Sequence, residues 1–151
     1  MPDETLVGTE VDRVSFPVEA GKIAELATAI HDPAPRYRDA AVAQAEGFAA
    51  IPAPLNLAVI MGHHRDQLGA VRTLGLDISR IVVGEVEWRY HRPVLAGDHL
   101  TGIRRVTAVK QKQGGRGGTM TFVTMQTVLE DAAGEPAVTY VETLIETGGA
   151  S

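Results

Sequence analysis

Residues 31–37 read His-Asp-Pro-Ala-Pro-Arg-Tyr and bring an imidazole, a carboxylate and a phenol together in one short segment. Side chains of these types accept, donate or orient protons, which is the work of general acid–base catalysis. They differ near neutral pH, because an unperturbed imidazole has a pKa of about 6.5 and a phenol one of about 10. Asp32 is therefore a candidate for orienting a water molecule, and Tyr37 for donating a hydrogen bond or lining a pocket.

The same segment also has a purely structural interpretation. An aspartate in such a loop often accepts hydrogen bonds from nearby backbone N–H groups, at a helix end or in an Asx-turn. Asp32 precedes Pro33, and His31 is typical of an exposed loop. Both interpretations of the segment stay open at this point.

The remaining histidines do not have the spacing of a metal site. His63 and His64 are adjacent, so their side chains diverge by about 100° around a helix and do not bind one ion from the same face. His91 and His99 flank a turn and are expected to be solvated. The chain has no cysteine, which excludes disulfides and thiolate metal sites. We expect no metal ion.

Composition limits the class of protein further. The chain has 151 residues, 44% of them hydrophobic and 22% charged, which is typical of one soluble globular domain over residues 1–151. Asp and Glu (19) outnumber Lys and Arg (14), so the net charge of −5 argues against non-specific binding to nucleic acid or to a membrane surface. The first ten residues carry acidic side chains where a secretory leader has an apolar run, which predicts a cytoplasmic protein.

Helical patterns dominate before residue 80. Apolar residues at i, i+3, i+4 and i+7 predict a helix over 19–30, which a proline-containing loop follows. An alanine-rich helix is predicted over 39–46, with Gly47 at its end. Residues 54–68 begin with Pro54, which the first turn of a helix tolerates, and are then apolar nearly all round. A helix of that kind must be buried, so we expect it at the centre of the fold.

The hydrophobic period becomes two after residue 80. Residues 81–91 alternate between apolar and polar side chains, and three further strands are predicted near 99–112, 119–130 and 136–147. Short, turn-rich breaks separate the strands and favour antiparallel pairing. With another strand near 6–18, the pattern predicts an α+β fold in which an antiparallel sheet wraps around the long apolar central helix. This outline resembles the HotDog fold.

Three stretches of the chain resemble the MaoC-like (R)-specific enoyl-thioester hydratases. They are the segment 31–37, the pair Gly47-Phe48, and residues 90–98, which read Tyr-His-Arg-Pro-Val-Leu-Ala-Gly-Asp. The resemblance covers roughly residues 18–147. In subtype the chain looks like the N-terminal MaoC-type domain, which is similar to the dehydratases of type I fatty-acid synthases and to mycobacterial acyl-carrier-protein dehydratase subunits.

The family motif is Gly-Asp-x-Asn-Pro-aliphatic-His, in which the aspartate and the histidine five residues later form the catalytic pair. The resemblance carries these two roles to Asp32 and Tyr37. Four positions differ from the family's glycine, asparagine, aliphatic residue and histidine: His31, Ala34, Arg36 and Tyr37. Because a phenol is only ~0.1% ionised at pH 7, it is a poor substitute for the imidazole as a base.

The resemblance also implies a backbone N–H near the start of the buried helix that polarises the thioester carbonyl. Residues 53–56 read Ala-Pro-Leu-Asn there. Pro54 has no N–H, but those of Leu55 and Asn56 are expected to point outward at the positive end of the helix. An oxyanion donor is therefore still available.

The resemblance implies an acyl-thioester-binding domain of an (R)-enoyl-thioester hydratase or 3-hydroxyacyl dehydratase, a lyase of fatty acid metabolism. The domain would be catalytically incomplete because Tyr37 stands at the histidine position. Beside the catalytic positions Asp32 and Tyr37, the residues expected to contact substrate are Phe48, Ala53, Pro54, Leu55 and Asn56.

No cofactor is implied beyond coenzyme A or phosphopantetheine, which would serve as the handle of the substrate. The basic hairpin with Lys110, Lys112 and Arg116 could meet the phosphates of that handle. The family also implies a homodimer, or a heterodimer with a second HotDog subunit that carries an intact Asp and His pair. The alternatives are a complete hydratase in which Asp32 works with a non-His partner, a non-catalytic scaffold subunit, and a HotDog thioesterase.

Overall fold

The computed structural model describes residues 3–115 and 117–148. Five strands form one antiparallel sheet in the spatial order β1-β3-β4-β5-β2. They are β1 (Glu10–Pro17), β2 (Ile81–Tyr90), β3 (His99–Gln113), β4 (Thr119–Glu130) and β5 (Pro136–Glu146). The four strands predicted after residue 80 are confirmed. The first strand starts later than predicted, because residues 4–6 form a 3-10 turn that Asp3 caps.

Three short α-helices lie outside the sheet: α1 (Ala20–Ala29), α2 (Ala40–Ala45) and α3 (Gln67–Thr73). The predicted helices over 19–30 and 39–46 are confirmed as α1 and α2. The carboxylate of Asp39 caps α2 by accepting hydrogen bonds from Ala41 N and Val42 N, at 2.8 and 3.3 Å. Within the described ranges, no helix combines the length and the apolarity needed to cross a bilayer.

The prediction of one long apolar helix over 54–68 is wrong. Leu57–His64 form a 3-10 helix, Arg65 is extended with φ −114° and ψ 147°, and α3 follows. The sequence gives two local reasons: β-branched residues and Gly62 lower the α-helical propensity of the stretch, and Asp66 starts a new helix by accepting a hydrogen bond from Gly69 N at 2.8 Å. The stretch is not buried all round either, since Val59 is 59% exposed. We call Leu57–His64 the central segment.

The core lies on one face of the sheet. On β4 every second side chain from Thr121 to Leu129 is buried, in accordance with the period of a strand. The central segment covers part of this face with Leu57 and Met61, together with Ile23 of α1. Helix α3 covers a second part of the sheet and packs against a separate apolar cluster. The predicted α+β architecture therefore stands, with two short elements in place of the long central helix.

A left-handed residue closes α1 directly before Asp32. His31 has φ +58°, and it is the only residue other than glycine with a positive φ in the part of the chain that the structure describes. His31 N donates to Thr28 O at 3.1 Å, and Asp32 N donates to Ala27 O at 2.8 Å. This pair of bonds is the Schellman motif, which favours glycine at the left-handed position. The glycine of the family motif corresponds to this position.

His31→Gly is expected to stabilise the fold. A side chain in the left-handed region costs roughly 1–2 kcal/mol, and the greater freedom of glycine in the unfolded chain offsets part of the gain. We expect the free energy of unfolding to rise by about 0.5–1 kcal/mol, measured by urea denaturation.

The matched control is Gly47→Ala, because Gly47 has φ +94° after α2 and its added Cβ would meet nothing within 4 Å. That variant isolates the backbone effect, and its unfolding free energy is expected to fall by about 1 kcal/mol. A His31→Gly protein that is no more stable than the unmodified chain would contradict this explanation of the α1 terminus.

Candidate active site

Several of the predicted site residues line a cavity of about 540 Å³. Its walls come from residues 36–37, from positions between 48 and 55, and from residues 90–94 at the end of β2. Four of the seven predicted residues line it: Tyr37, Phe48, Ala53 and Leu55. A larger concavity of about 690 Å³ lies on β1, β3 and β4, but none of the seven contributes to it. We therefore take the cavity of about 540 Å³ as the candidate active site and call it the candidate cavity.

Tyr37 is held in the wall of the candidate cavity by a 3-10 turn, Pro35–Tyr37. Pro35 occupies the first position of the turn, where its fixed φ fits and its missing N–H is not needed. The phenol ring packs against the main apolar cluster, and the Arg36 guanidinium lies 5.6 Å from the ring centre. Tyr37 therefore has an inward-facing, partly buried ring at the histidine position of the motif.

Asp32 is engaged in its own loop. Its Oδ1 accepts a hydrogen bond from Ala34 N at 2.9 Å, which is the geometry of an Asx-turn. The Asp32 carbonyl accepts a second bond from Arg38 Nη1 at 3.2 Å. Asp32 does not line the candidate cavity. The structural role that the sequence left open is thus present, and a catalytic role for Asp32 stays a prediction.

Residues 53–56 connect the candidate cavity to the central segment. Pro54 is buried and does not line the cavity, and neither does the exposed Asn56. The Leu55 carbonyl accepts a hydrogen bond from the Tyr90 hydroxyl across the cavity wall. Within the described residues, the N–H groups of Leu55 and Asn56 have no hydrogen-bond partner. They remain available as donors, although the element that follows them is a 3-10 helix.

Sequence reasoning missed part of the cavity wall. His91 lines it beside Tyr90, with its Nε2 2.8 Å from Thr139 Oγ1. His91 is exposed, as expected for a residue at a turn, but it faces this cavity. The signal available in the sequence was its position one residue after the end of β2. Burial raises the pKa of the Tyr90 hydroxyl, so Tyr90 keeps its proton and donates at neutral pH.

The end of the wall at residues 92–98 is fixed by a bidentate ion pair. Arg92 Nη1 and Nη2 donate to Asp98 Oδ2 and Oδ1 at 2.8 and 3.0 Å, and Leu95 N donates to Asp98 Oδ2 at 2.9 Å. The hydrogen bonds to Asp98 raise the pKa of Arg92 above its ordinary value. Asp98 thereby holds both the side chain and the backbone of this turn.

The basic hairpin is far from the candidate cavity in the same chain. Lys110 and Lys112 lie near the end of β3, whereas His99, at the start of β3, lies near the turn at residues 92–98. At about 3.3 Å per residue a strand of this length spans at most roughly 45 Å from end to end, and neither lysine is among the residues that line the cavity. Arg116, the third basic residue of the predicted hairpin, lies outside the described residues. Lys110 and Lys112 therefore do not contribute to the rim of this cavity.

Comparison with known proteins identifies the family. Residues 5–140 match the family model described as FAS1-like, dehydratase domain region. The chain belongs to this dehydratase family. A curated relative from Saccharopolyspora erythraea, named a UPF0336 protein, is 34% identical over 98% of this chain and 93% of its own length.

Solved structures with the same architecture confirm the HotDog fold. The HadBC (3R-hydroxyacyl-ACP dehydratase) complex from Mycobacterium tuberculosis contains a chain with a TM-score of 0.76 and 23% identity. The match covers 96% of this chain and 99% of that one. The (R)-hydratase from A. caviae has a TM-score of 0.69 and 22% identity, over 94% and 98% of the two chains. Identity this low establishes the fold alone.

Asp98→Ala is expected to destabilise the protein by about 2 kcal/mol, because it removes hydrogen bonds to a charged partner from a partly buried site. Urea denaturation measures the change. The control is Glu25→Ala, which removes an exposed pair with Lys22 (3.2 Å) on α1 and should change stability by less than about 0.5 kcal/mol. Equal effects of the two substitutions would contradict a specific role for Asp98.

Proposed function

We propose that this chain forms the acyl-thioester pocket of an (R)-enoyl-thioester hydratase or 3-hydroxyacyl-thioester dehydratase and lacks a complete acid–base pair. The observation that carries the proposal is the inward-facing phenol of Tyr37 at the position of the catalytic histidine. Coenzyme A or phosphopantetheine would carry the substrate, and no other cofactor is required.

The chemistry explains why this position matters. Adding water across an α,β-unsaturated thioester needs a base that takes a proton from water and an acid that protonates the α-carbon. A phenol with a pKa of about 10 is almost fully protonated at pH 7 and is a weak base for this step. Asp32 Oδ1 already accepts the Ala34 N–H as a loop cap, and Asp32 does not line the candidate cavity. Neither residue is well suited to exchange protons with the substrate.

Binding of the substrate has better support than its chemistry. The candidate cavity of about 540 Å³ has the size of a small-molecule site. Its apolar wall at Phe48 and Ala53 suits an acyl chain, and the free N–H group of Leu55, which lines the same cavity, suits a thioester carbonyl. A pocket of this kind can hold a thioester while a partner subunit performs the proton transfers.

The edge strand β2 suits the binding of such a partner. Strand β2 pairs with β5 along one side only, at the end of the sheet. Its exposed side chains include Val82, Val83 and Val86, which are 51%, 63% and 40% exposed. A long strand edge with apolar side chains is a template for pairing with another chain. We propose a homodimer, or a heterodimer with a HotDog subunit that carries an intact Asp and His pair, through this edge.

A complete hydratase is the second candidate, because an imidazole does line the candidate cavity. His91 and Tyr37 share the cavity wall, and His91 Nε2 is bonded to Thr139 Oγ1 at 2.8 Å. Histidine is the side chain that enzymes most often use as a general acid or base. Hydration by the isolated chain that is lost in His91→Gln and kept in Tyr37→Phe would favour this second candidate.

The test of the main proposal combines binding and turnover in the isolated chain. A non-hydrolysable acyl-CoA thioether is expected to bind in calorimetry, while hydration of crotonyl-CoA, followed by loss of the enoyl absorbance, is expected to be slow. Tyr37→His restores the imidazole and should raise turnover by about 10²-fold, the lower end of a general acid–base contribution. Tyr37→Phe is the matched control and should leave turnover unchanged.

Four outcomes would contradict the main proposal. Turnover of the unmodified chain equal to that of Tyr37→His, or its loss in Tyr37→Phe, would mean that the chain is catalytically complete. No thioether binding, even with a partner present, would favour the scaffold subunit. Release of a free thiol from acyl-CoA would identify a thioesterase.

The role of the β2 edge is tested by Val83→Lys. A lysine on an edge strand opposes strand pairing between chains, so sedimentation should shift from dimer to monomer. The control is Val7→Lys, because Val7 is 49% exposed but lies before β1. If the unmodified chain is monomeric alone, the same pair of variants is compared in the complex with its partner. A dimer that survives Val83→Lys would contradict pairing through β2.

A further inference from the structure

A second cavity lies beside the candidate cavity, under the central segment. It has a volume of about 150 Å³ and is bordered by Ala58 and Trp88. Trp88 is two residues from Tyr90, which borders the candidate cavity, and residues two apart on a strand share one face about 7 Å apart. Ala58 is three residues after Leu55, which also borders the candidate cavity. The two cavities are therefore neighbours between β2 and the same stretch of chain.

The second cavity is polar, unlike an ordinary end of an acyl tunnel. Its border includes Arg65, Arg104, Tyr140 and Glu142, and we call it the polar chamber. The side chains of Arg65 and Arg104 are only 2% and 3% exposed. Groups of this kind are rarely buried without partners, because removing a charge from water is costly.

The charges around the polar chamber balance. Arg104 Nη1 donates to Glu142 Oε1 at 2.7 Å, and its Nη2 donates to Asp12. Arg65 Nη1 donates to Asp12 Oδ1 at 3.2 Å, and its Nη2 donates to Thr127 Oγ1 at 2.9 Å. Burial lowers the pKa of Arg65, whereas for Arg104 the effect of burial is outweighed by Glu142 and Asp12, which raise it. Two cations and two carboxylates leave no net charge for an ionic ligand to neutralise.

Two buried donors at the polar chamber have no acceptor. Among the described residues, the Nε atoms of Arg65 and Arg104 are buried without a hydrogen-bond partner. A buried N–H group without an acceptor costs about 1–3 kcal/mol. The Tyr140 hydroxyl donates to Glu142 Oε2 at 2.9 Å and can itself accept a further bond. A neutral group that offers oxygen lone pairs would satisfy donors of this kind.

We propose that the acyl group of the thioester extends from the candidate cavity into the polar chamber, and that the chain prefers acyl groups with a neutral oxygen, a hydroxyl or a carbonyl, at their distal end. This inference rests on the proposed function, because the thioester occupies the candidate cavity. A plain alkyl end would displace water from the polar chamber and leave the two Nε donors unpaired. A distal oxygen would accept hydrogen bonds from them.

The test compares matched ligands and uses a built-in reporter. Octanoyl-, decanoyl- and dodecanoyl-CoA are titrated in calorimetry beside their ω-hydroxy counterparts. Trp88 borders the polar chamber and is the single tryptophan of the chain, so its fluorescence reports occupancy. At the chain length that reaches the polar chamber, we expect the hydroxylated ligand to bind about 3–10-fold tighter, the size of one net hydrogen bond, and to shift the Trp88 emission.

The outcomes separate this inference from the proposed function. Acyl-CoAs that bind with no preference for the hydroxyl at any length, and without a shift of Trp88 emission, would mean that the polar chamber holds only water; the inference is then wrong and the proposed function stands. Tighter binding of the plain acyl-CoA than of its ω-hydroxy counterpart would also mean that the inference is wrong and the proposed function stands. If no acyl-CoA binds, the proposed function is wrong and the inference falls with it.

Two variants locate the effect in the polar chamber. Ala58→Val fills part of the chamber and should abolish the hydroxyl preference, whereas Ala29→Val, at the exposed end of α1, is the matched control and should keep it. Tyr140→Phe retains the ring that stacks on Trp88 at 4.1 Å and removes only the hydroxyl, so it remains informative if Ala58→Val fails to fold. It should reduce the preference about threefold, the loss of part of one hydrogen bond. A preference that neither variant reduces would overturn the assignment to the polar chamber.

Discussion

The stretch from Ile51 to Arg65 is attached to the rest of the protein at both ends, and both the candidate cavity and the polar chamber depend on these attachments. At one end Ala96 N donates to Ile51 O and Ala53 N donates to Val94 O, each at 2.8 Å. At the other end Arg65 binds Asp12 and Thr127 beneath the sheet face. A 3-10 helix rises about 2.0 Å per residue against 1.5 Å for an α-helix. The central segment thus covers more of the sheet per residue, with less side-chain volume over each part of it.

The two arginines at the rim of the candidate cavity illustrate a second constraint. Arg36 Nη1 donates to Glu46 at 2.7 Å, and Arg92 is held by Asp98. Each guanidinium therefore has a carboxylate partner within the chain. A thioester bound as proposed would therefore meet shape and hydrogen bonds at the rim more than net charge, which agrees with the balanced charges of the polar chamber. The acidic net charge of the chain is carried elsewhere on its surface.

The parts of the fold that depend on local pattern could be predicted from the sequence. The alternation along β2 to β5 and the apolar face of α1 follow from neighbouring residues alone. The break at Arg65 follows only in part: Gly62 and Asp66 favour it locally, but the extended backbone of Arg65 also goes with an ion pair to Asp12, 53 positions away in the chain. An apolar run also has the same composition in a 3-10 helix as in an α-helix, so burial was predicted for Leu57 and Met61 without the correct geometry.

The residues of the candidate site also fall into those that a local sequence pattern predicts and those that depend on the fold. Tyr37, Phe48, Ala53 and Leu55 line the candidate cavity, and each belongs to a short motif that the sequence shows. His91 also lines the cavity but was expected to be solvated, because its neighbours there come from other segments. Asp32 shows the limit of a motif: its spacing fits a catalytic carboxylate, but the Ala34 N–H lies within 2.9 Å of its oxygen. Which role a short carboxylate takes depends on backbone geometry that a residue pattern does not specify.

The uncovered edge of β2 also bears on how the chain is made in a cell. Unpaired backbone groups beside valine side chains can pair with any exposed strand, including those of unfolded chains. Molecules synthesised in excess over their partner would therefore tend to aggregate, and the melting temperature would rise with total protein concentration by mass action. In the proposed heterodimer, balanced synthesis of the two polypeptides would then protect solubility.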